Sequence, residues 1–340
     1  MIKVIENSKN KLPIIGITMG DPAGIGPEIT LRSLIDQRIG EVCIPRVIGD
    51  LAHLKRTASD LNIPADLVSD ISEIENSRQI FVYDMNNVAK DLAYGDWSAA
   101  SGKASAEYIE TAVELWRNGS INAISTAPIS KAAISKAGYD FPGHTEFLAA
   151  LTESPKIAMS FFAEKLRVVL LSTHISLINA AARVKTEALV DLIRFSNNEL
   201  SKILGRDIRI AVAGLNPHAS EGGMFGSEEH DEIAPAVTKC RDEFGINVNG
   251  PYSPDTIFLR GFKGEFDAVI ACYHDQATIA VKSLSFGSSV NVTLGLPLIR
   301  TSVDHGTAFD IAGKGIAESS SMSAAVILAA ELSAVNTTNS

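Results

Sequence analysis

The 340-residue sequence predicts an α/β protein built on a mostly parallel sheet. Three observations carry that expectation. Short apolar runs of strand length alternate with stretches that have apolar residues at helical spacing. The first apolar run passes through a glycine- and proline-rich turn straight into a helix start. The apolar fraction of 46% and the charged fraction of 21% are those of a globular chain with ample core, long enough for two domains.

Taken in order, Leu12 to Thr18 reads as a buried strand, followed by the turn MGDPAGIGPEIT and a helix beginning near Pro27, where Glu28 suits the positive end of the dipole. Such a strand, turn and helix start faces backbone amides toward a ligand, or else is a plain tight turn. Val42 to Gly49 and Gln79 to Tyr83 read as strands, and the polar residues 66–80 read as surface. Ala104 to Trp116 has helical spacing and stops at Asn118-Gly119; Ile121 to Ser125 is a strand and APISKAAISKAG a helix closed by glycine. Ile157 to Phe162 and Leu166 to Ser172, joined by a polar turn, predict a hairpin. Thr186 to Leu204 is an amphipathic helix, Ile208 to Ala213 a strand, Glu229 to Phe244 a helix with Ser227 as its cap, Asp267 to Cys272 a strand and residues 315–335 a last helix, with the final five residues frayed.

The formal charge of −10 argues against nucleic acid or an anionic membrane as partner, so any bound phosphate must meet a local cationic pocket. No apolar run approaches the roughly 18 residues of a membrane helix. The N-terminus, MIKVIENSKNKLPIIGIT, has no apolar signal core, and Cys43, Cys240 and Cys272 lack any CxxC spacing; reduced core cysteines in the cytoplasm are the expectation.

Polar residues crowd the stretch from Ala271 to Asp310. His274 and Asp275 follow an apolar strand, Lys282, Asn291 and Arg300 come at intervals of nine, and Asp304, His305, Gly306 and Asp310 close it. A lysine, an arginine fork and an amide together suit a phosphate plus a carboxylate, and Asn291 and Arg300 lie in SVNVTLGLPLIRTS, too apolar for a surface. Of seven histidines, His174, His218 and His274 each come just after a strand-like run, where an open parallel sheet lines its ligand crevice. They either converge on a divalent metal with an open position or are scattered, hydrogen-bonded histidines. In GHTEF, His144 and Thr145 either bind an oxyanion or start a helix. Around His218 runs a long glycine-bearing loop, a turn or a lid, and Asp255 follows Ser253-Pro254 as a site or turn residue.

GDPAGIGPE, GHTEF, STHISL, GLNPHASEGG, YSPDT, CYHDQ, VNVTLGLP and RTSVDHGTAFDIAGKG, in this order from about Pro13 to Ala324, resemble the 4-hydroxythreonine-4-phosphate dehydrogenases of vitamin B6 biosynthesis. Two of the segments also resemble isopropylmalate and isocitrate dehydrogenases. The resemblance implies that fold: two α/β/α subdomains with a cleft between them, residues 1–135 plus 284–340 forming the first and 136–283 the second, with the dimer interface. By position it implies His174, His218 and His274 as ligands of a divalent metal (zinc, cobalt, magnesium, manganese or nickel), with His274 given across a homodimer interface. It implies His144, Thr145, Lys282, Asn291 and Arg300 as substrate-binding residues, with His144 and Lys282 catalytic. His305, Asp310 and Asp255 become candidates for the cofactor, NAD or alternatively NADP. The implied reaction is oxidation at C3 of 4-phosphooxy-L-threonine and decarboxylation to 3-amino-2-oxopropyl phosphate. A paralogue acting on D-threonate or D-erythronate 4-phosphate would use the same residues; the short loop from Lys282 to Asn291 favours the B6 enzyme. A non-catalytic metabolite-binding descendant is the alternative of another class, and the complete polar set weighs against it.

Overall fold

The computed structural model describes residues 12–338 except 75, 77, 78 and 286. Residues 1–11, on which part of the N-terminal reading rests, lie outside it. Twelve strands, β1 (Ile14–Thr18), β2 (Ile44–Gly49), β3 (Asp66–Val68), β4 (Gln79–Asp84), β5 (Ala123–Thr126), β6 (Ala158–Ala163), β7 (Leu166–Leu170), β8 (Ile210–Ala213), β9 (Val248–Tyr252), β10 (Ala268–Ala271), β11 (Val290–Leu294) and β12 (Ile299–Ser302), form one sheet. Its order is β3-β4-β2-β1-β5-β12-β11-β6-β7-β10-β8-β9. Pairing is parallel except along β12-β11-β6-β7, so the predicted hairpin is there as the antiparallel pair β6-β7. Strands drawn from residues 1–135 and 284–340 fill one half of the sheet and those from 136–283 the other, meeting at β11-β6.

Burial explains the strand sequences. Every residue of β5, β8 and β10 is buried; β8 and β10 are apolar throughout rather than alternating, as expected where helices cover both faces, while β5 also buries the hydroxyls of Ser125 and Thr126. The helices are α1 (Gly26–Leu34), α2 (Gln37–Val42), α3 (Leu51–Asp60), α4 (Ala99–Arg117), α5 (Lys131–Lys136), α6 (His144–Leu151), α7 (Leu177–Ala182), α8 (Thr186–Leu204), α9 (Ala234–Asp242), α10 (Pro254–Phe262), α11 (His274–Leu284) and α12 (Ser320–Thr338). Pro27 sits in the first turn of α1, and α8 buries Leu189, Val190, Leu192, Ile193 and Leu200 and ends on Gly205 at φ 66°, a left-handed stop.

Several expectations change. The polar stretch 66–80 contains β3, with Leu67 and Val68 buried. α4 starts at Ala99 because Ser98 and Ser101 cap each other's backbone reciprocally. The helix expected from Glu229 opens as a π turn, Glu229–Ile233, preceded by Glu228 without a side-chain cap bond, and Asp231 N–H donates to Ser227 O at 2.8 Å; α9 follows. Helices α2, α3, α7, α10 and α11 and strands β9, β11 and β12 were not anticipated; Gly250-Pro251 breaks the apolar run of β9, and α2 and α7 are six residues each. The last helix begins at Ser320 and continues to Thr338, into the end expected to fray.

Candidate active site

The register puts a polar row across the middle of the sheet: Thr18 of β1 beside Thr126 of β5, then Ser302 of β12, then Asn291 of β11. Arg300 and Thr293, two residues along their strands, share that face. Arg300 is 3% exposed. Its Nη2 donates to Thr126 Oγ1 at 2.8 Å and its Nη1 to Thr293 Oγ1 at 3.1 Å, while Nε has no partner among the described residues. Burial lowers its pKa to about 10, against the opposing charge of Glu146. Even so the guanidinium stays charged at neutral pH, a cation held by two neutral hydroxyls.

His144 opens α6, where the extended backbone of Gly143 (φ 172°) turns the chain into the helix. Its Nε2 is buried and has no partner among the described residues, and burial, then the charge of Arg300, holds the imidazole well below its usual pKa and therefore neutral. In the same candidate set Asn291 Oδ1 is a third buried polar atom without a partner among the described residues. Unsatisfied buried polar groups are costly, so three on residues of one candidate set suit a ligand's hydrogen bonds. Thr145 lines a cavity of about 380 Å³ together with Glu146, Met159 and His174. A larger cavity of about 900 Å³, between Leu12 and Phe81, contains none of the candidate residues.

The parallel strands β7, β10 and β8 are neighbours, so the segments after them, bearing His174, His274 and His218, leave the same edge of the sheet. His174 and His274 meet, with ring centroids 5.8 Å apart. Burial, then the charges of Lys131 and His274, lowers the pKa of His174, with Glu146 opposing. His274 Nδ1 lies 2.7 Å from Asp275 Oδ1. His218 stands off: it sits in the turn Pro217–Gly223, with Nδ1 4.0 Å from Asp255 Oδ1. Within one chain no three His, Cys, Asp or Glu side chains among the described residues are grouped to hold a metal. Two facing imidazoles have the donor chemistry of a borderline divalent cation and require a further ligand.

The other candidates are dispersed. Lys282 is exposed in the last turn of α11 and makes no hydrogen bond or ion pair with the Arg300 group. Asp255 pairs with Ser253 and His218, and His305, whose Nε2 is buried without a partner among the described residues, sits with exposed Asp310 in the loop after β12. That loop packs on the first glycine turn: Ile25 N–H donates to Thr307 O at 3.0 Å, and a Cβ on Gly24 would meet the same oxygen at 2.9 Å. The sequence reading missed Thr126 and Thr293. Hydroxyls inside otherwise apolar strands were the available signal, but their convergence on Arg300 depends on register.

The chain matches the family described as pyridoxal phosphate biosynthetic protein PdxA over residues 41–329. It is 44% identical to a 4-hydroxythreonine-4-phosphate dehydrogenase of Trichlorobacter lovleyi, covering 95% of this chain and 98% of the relative. It is equally 44% identical to a D-threonate 4-phosphate dehydrogenase of Cupriavidus necator, covering 94% and 97%. The crystal structure of a 4-hydroxythreonine-4-phosphate dehydrogenase from Klebsiella pneumoniae superposes with a TM-score of 0.86 at 41% identity, covering 94% of this chain and 99% of that one.

Proposed function

The chain belongs to the PdxA family of pyridoxal phosphate biosynthetic proteins, and from that premise we propose that it oxidises 4-phosphooxy-L-threonine at C3 with NAD and releases carbon dioxide. It is a dehydrogenase, as its close relatives are. The observation that carries the substrate reading is the buried set of Arg300, His144 and Asn291, each with a polar atom left for a ligand. Arg300 takes the phosphate, Thr126 and Thr293 fix its fork, and neutral His144 hydrogen-bonds the same group.

In the reaction the C3 hydroxyl loses its proton and C3 passes a hydride to the nicotinamide. The β-keto acid then breaks its C1–C2 bond, carbon dioxide leaves, and C2 takes up a proton to give 3-amino-2-oxopropyl phosphate. His174 and His274, with His218, are the residues we assign to a divalent metal, which when bound lowers the pKa of the hydroxyl. Lys282 is assigned as a second catalytic group, and His305, Asp310 and Asp255 to the cofactor.

A homodimer in the cytoplasm completes the reading. Each histidine segment carries exposed apolar side chains: Ile175, Leu177 and Ile178 after His174, Met224 and Phe225 after His218, and Ile279 after His274. Exposed apolar residues in three neighbouring segments support a protein contact beside the site, and across it a second copy supplies His274, as the family resemblance implies, and Lys282. The division of the chain near residues 135 and 284 into two subdomains is part of the same proposal, supported by the order of strands. No helix among the described residues is long and apolar enough to cross a membrane.

The second reading, oxidation of D-threonate 4-phosphate, is favoured by the Cupriavidus necator relative at the same identity. Assays with NAD, a divalent metal and each phosphorylated acid separate the two. Turnover of the sugar acid alone moves the assignment to that reading, and turnover of neither overturns both.

A further inference from the structure

We infer that Lys131 binds the substrate's carboxylate, so that two cations, Arg300 and Lys131, hold the two anionic ends of the molecule. This rests on the proposed oxidation of a phosphorylated hydroxy acid. Lys131 opens α5, five residues after Thr126, the residue that steadies Arg300. The start of that helix is fixed, because Ser130, 8% exposed, accepts from Ala133 N–H at 3.1 Å. The lysine stem reaches toward the entry to α6: a Cβ on Gly143 would lie 3.7 Å from Lys131 Cε and 3.5 Å from Glu146 Oε2. Its charge is also felt at His174, the next largest influence on that imidazole after burial. The end of the lysine stem therefore lies near the turn at Gly143 from which His144 and Glu146 follow, and its charge reaches His174.

An exposed lysine is ordinarily a solvated surface group, but the nearby lysines behave differently. Lys136 lies 4.4 Å over the ring of Trp97, and Lys156 pairs with Asp191 at 2.5 Å. Lys131 has neither arrangement among the described residues, and as the first residue of a helix it gains nothing from the helix dipole. The substrate carries a phosphate on C4 and a carboxylate on C1, with the reacting C3 between. With the phosphate in the buried Arg300 set and C3 at the histidines, the carboxylate falls to the cation beside His174.

The test uses the full chain with NAD and divalent metal, comparing wild type with Lys131→Met, Lys131→Gln and Lys131→Arg. Calorimetric Kd and KM are measured for 4-phosphooxy-L-threonine and D-threonate 4-phosphate, alongside inhibition by inorganic phosphate. Losing a charge-assisted contact is expected to raise Kd and KM about tenfold or more in the Met and Gln variants, with a smaller change in kcat and substantial recovery in the Arg variant. Inhibition by inorganic phosphate stays as in wild type. Unchanged substrate affinity in both neutral variants, with wild type active, overturns the assignment of Lys131 and leaves the enzyme reading intact. Equal weakening of phosphate inhibition overturns the carboxylate assignment. A wild type that neither binds nor turns over either acid overturns the functional reading and this inference together.

Discussion

Arg300 is a charge in a nearly dry place, and its neighbours decide what it can do. Thr126 and Thr293 occupy two faces of the guanidinium fork and leave Nε open. Thr126→Val keeps the side-chain shape and removes one acceptor. A hydrogen bond to a charged group is worth about 1.5–3 kcal/mol, so KM for the phosphorylated substrate is expected to rise roughly tenfold or more with the fold intact by circular dichroism. His53 gives a prediction at the same scale. It is 3% exposed, and burial, then the charge of Arg56, pushes its pKa down to about 4 from an ordinary 6.5. Above pH 6.5 both folded and unfolded forms are neutral and nothing is lost. Between pH 6.5 and about 4 the unfolded chain takes up the proton first, so stability falls as pH falls, by about 3 kcal/mol for this one group. Urea unfolding at pH 7 and pH 4.5 should show a smaller acid loss in His53→Gln than in wild type, with His144, shifted in the same direction, contributing to the remainder. His144, Asn291 and Arg300 were legible in the sequence because each is a polar residue in or beside an apolar run. Thr126, Thr293 and Lys131 were not, because their roles come from strand register and the approach of α5 to α6, which local pattern does not encode.

At the level of elements, the turn carrying His218 is the most unusual backbone in the structure. Five consecutive residues, His218 to Gly222, have φ between 46° and 67°, four of them not glycine. Left-handed backbone costs roughly 1–2 kcal/mol per residue for side chains with a Cβ, so something must hold it. The clamp is Asn216 on Glu229. Glu229, 2% exposed, accepts from Asn216 N–H at 2.7 Å and from its Nδ2 at 2.9 Å, and Glu228 takes a further bond from Nδ2 at 2.7 Å. Asn216→Ala leaves a buried carboxylate oxygen without its donor. We expect a loss of about 1–3 kcal/mol in denaturant unfolding and faster amide exchange in residues 217–223, with exchange in β1 and β5 unchanged. The long regular elements were readable from periodicity: β1, α1 behind its proline, the β6-β7 hairpin and α8. This turn, β9 and the six-residue helices α2 and α7 were not, since left-handed backbone follows from tertiary contacts rather than residue preference and six residues are too few to show a period.

For the whole molecule, the sheet joins its two halves through the antiparallel pair β11-β6, reinforced by Ser160 Oγ donating to Val292 O at 2.7 Å. Alternating strand and helix patterns announced the α/β class, but the return of the chain's last two strands to the first half is a long-range pairing that spacing alone does not reveal. The proposed dimer predicts a solution mass of twice the 36.2 kDa chain, measured by light scattering. Leu177→Glu with Ile178→Glu, replacing side chains that are 66% and 78% exposed, should return it to the single-chain mass without lowering Tm appreciably. The apolar residues that follow each histidine have a kinetic consequence. If the metal centre is built by two molecules meeting, its concentration is second order in protein, so turnover per chain should fall on dilution and recover when an inactive His274 variant is added back in excess as a partner.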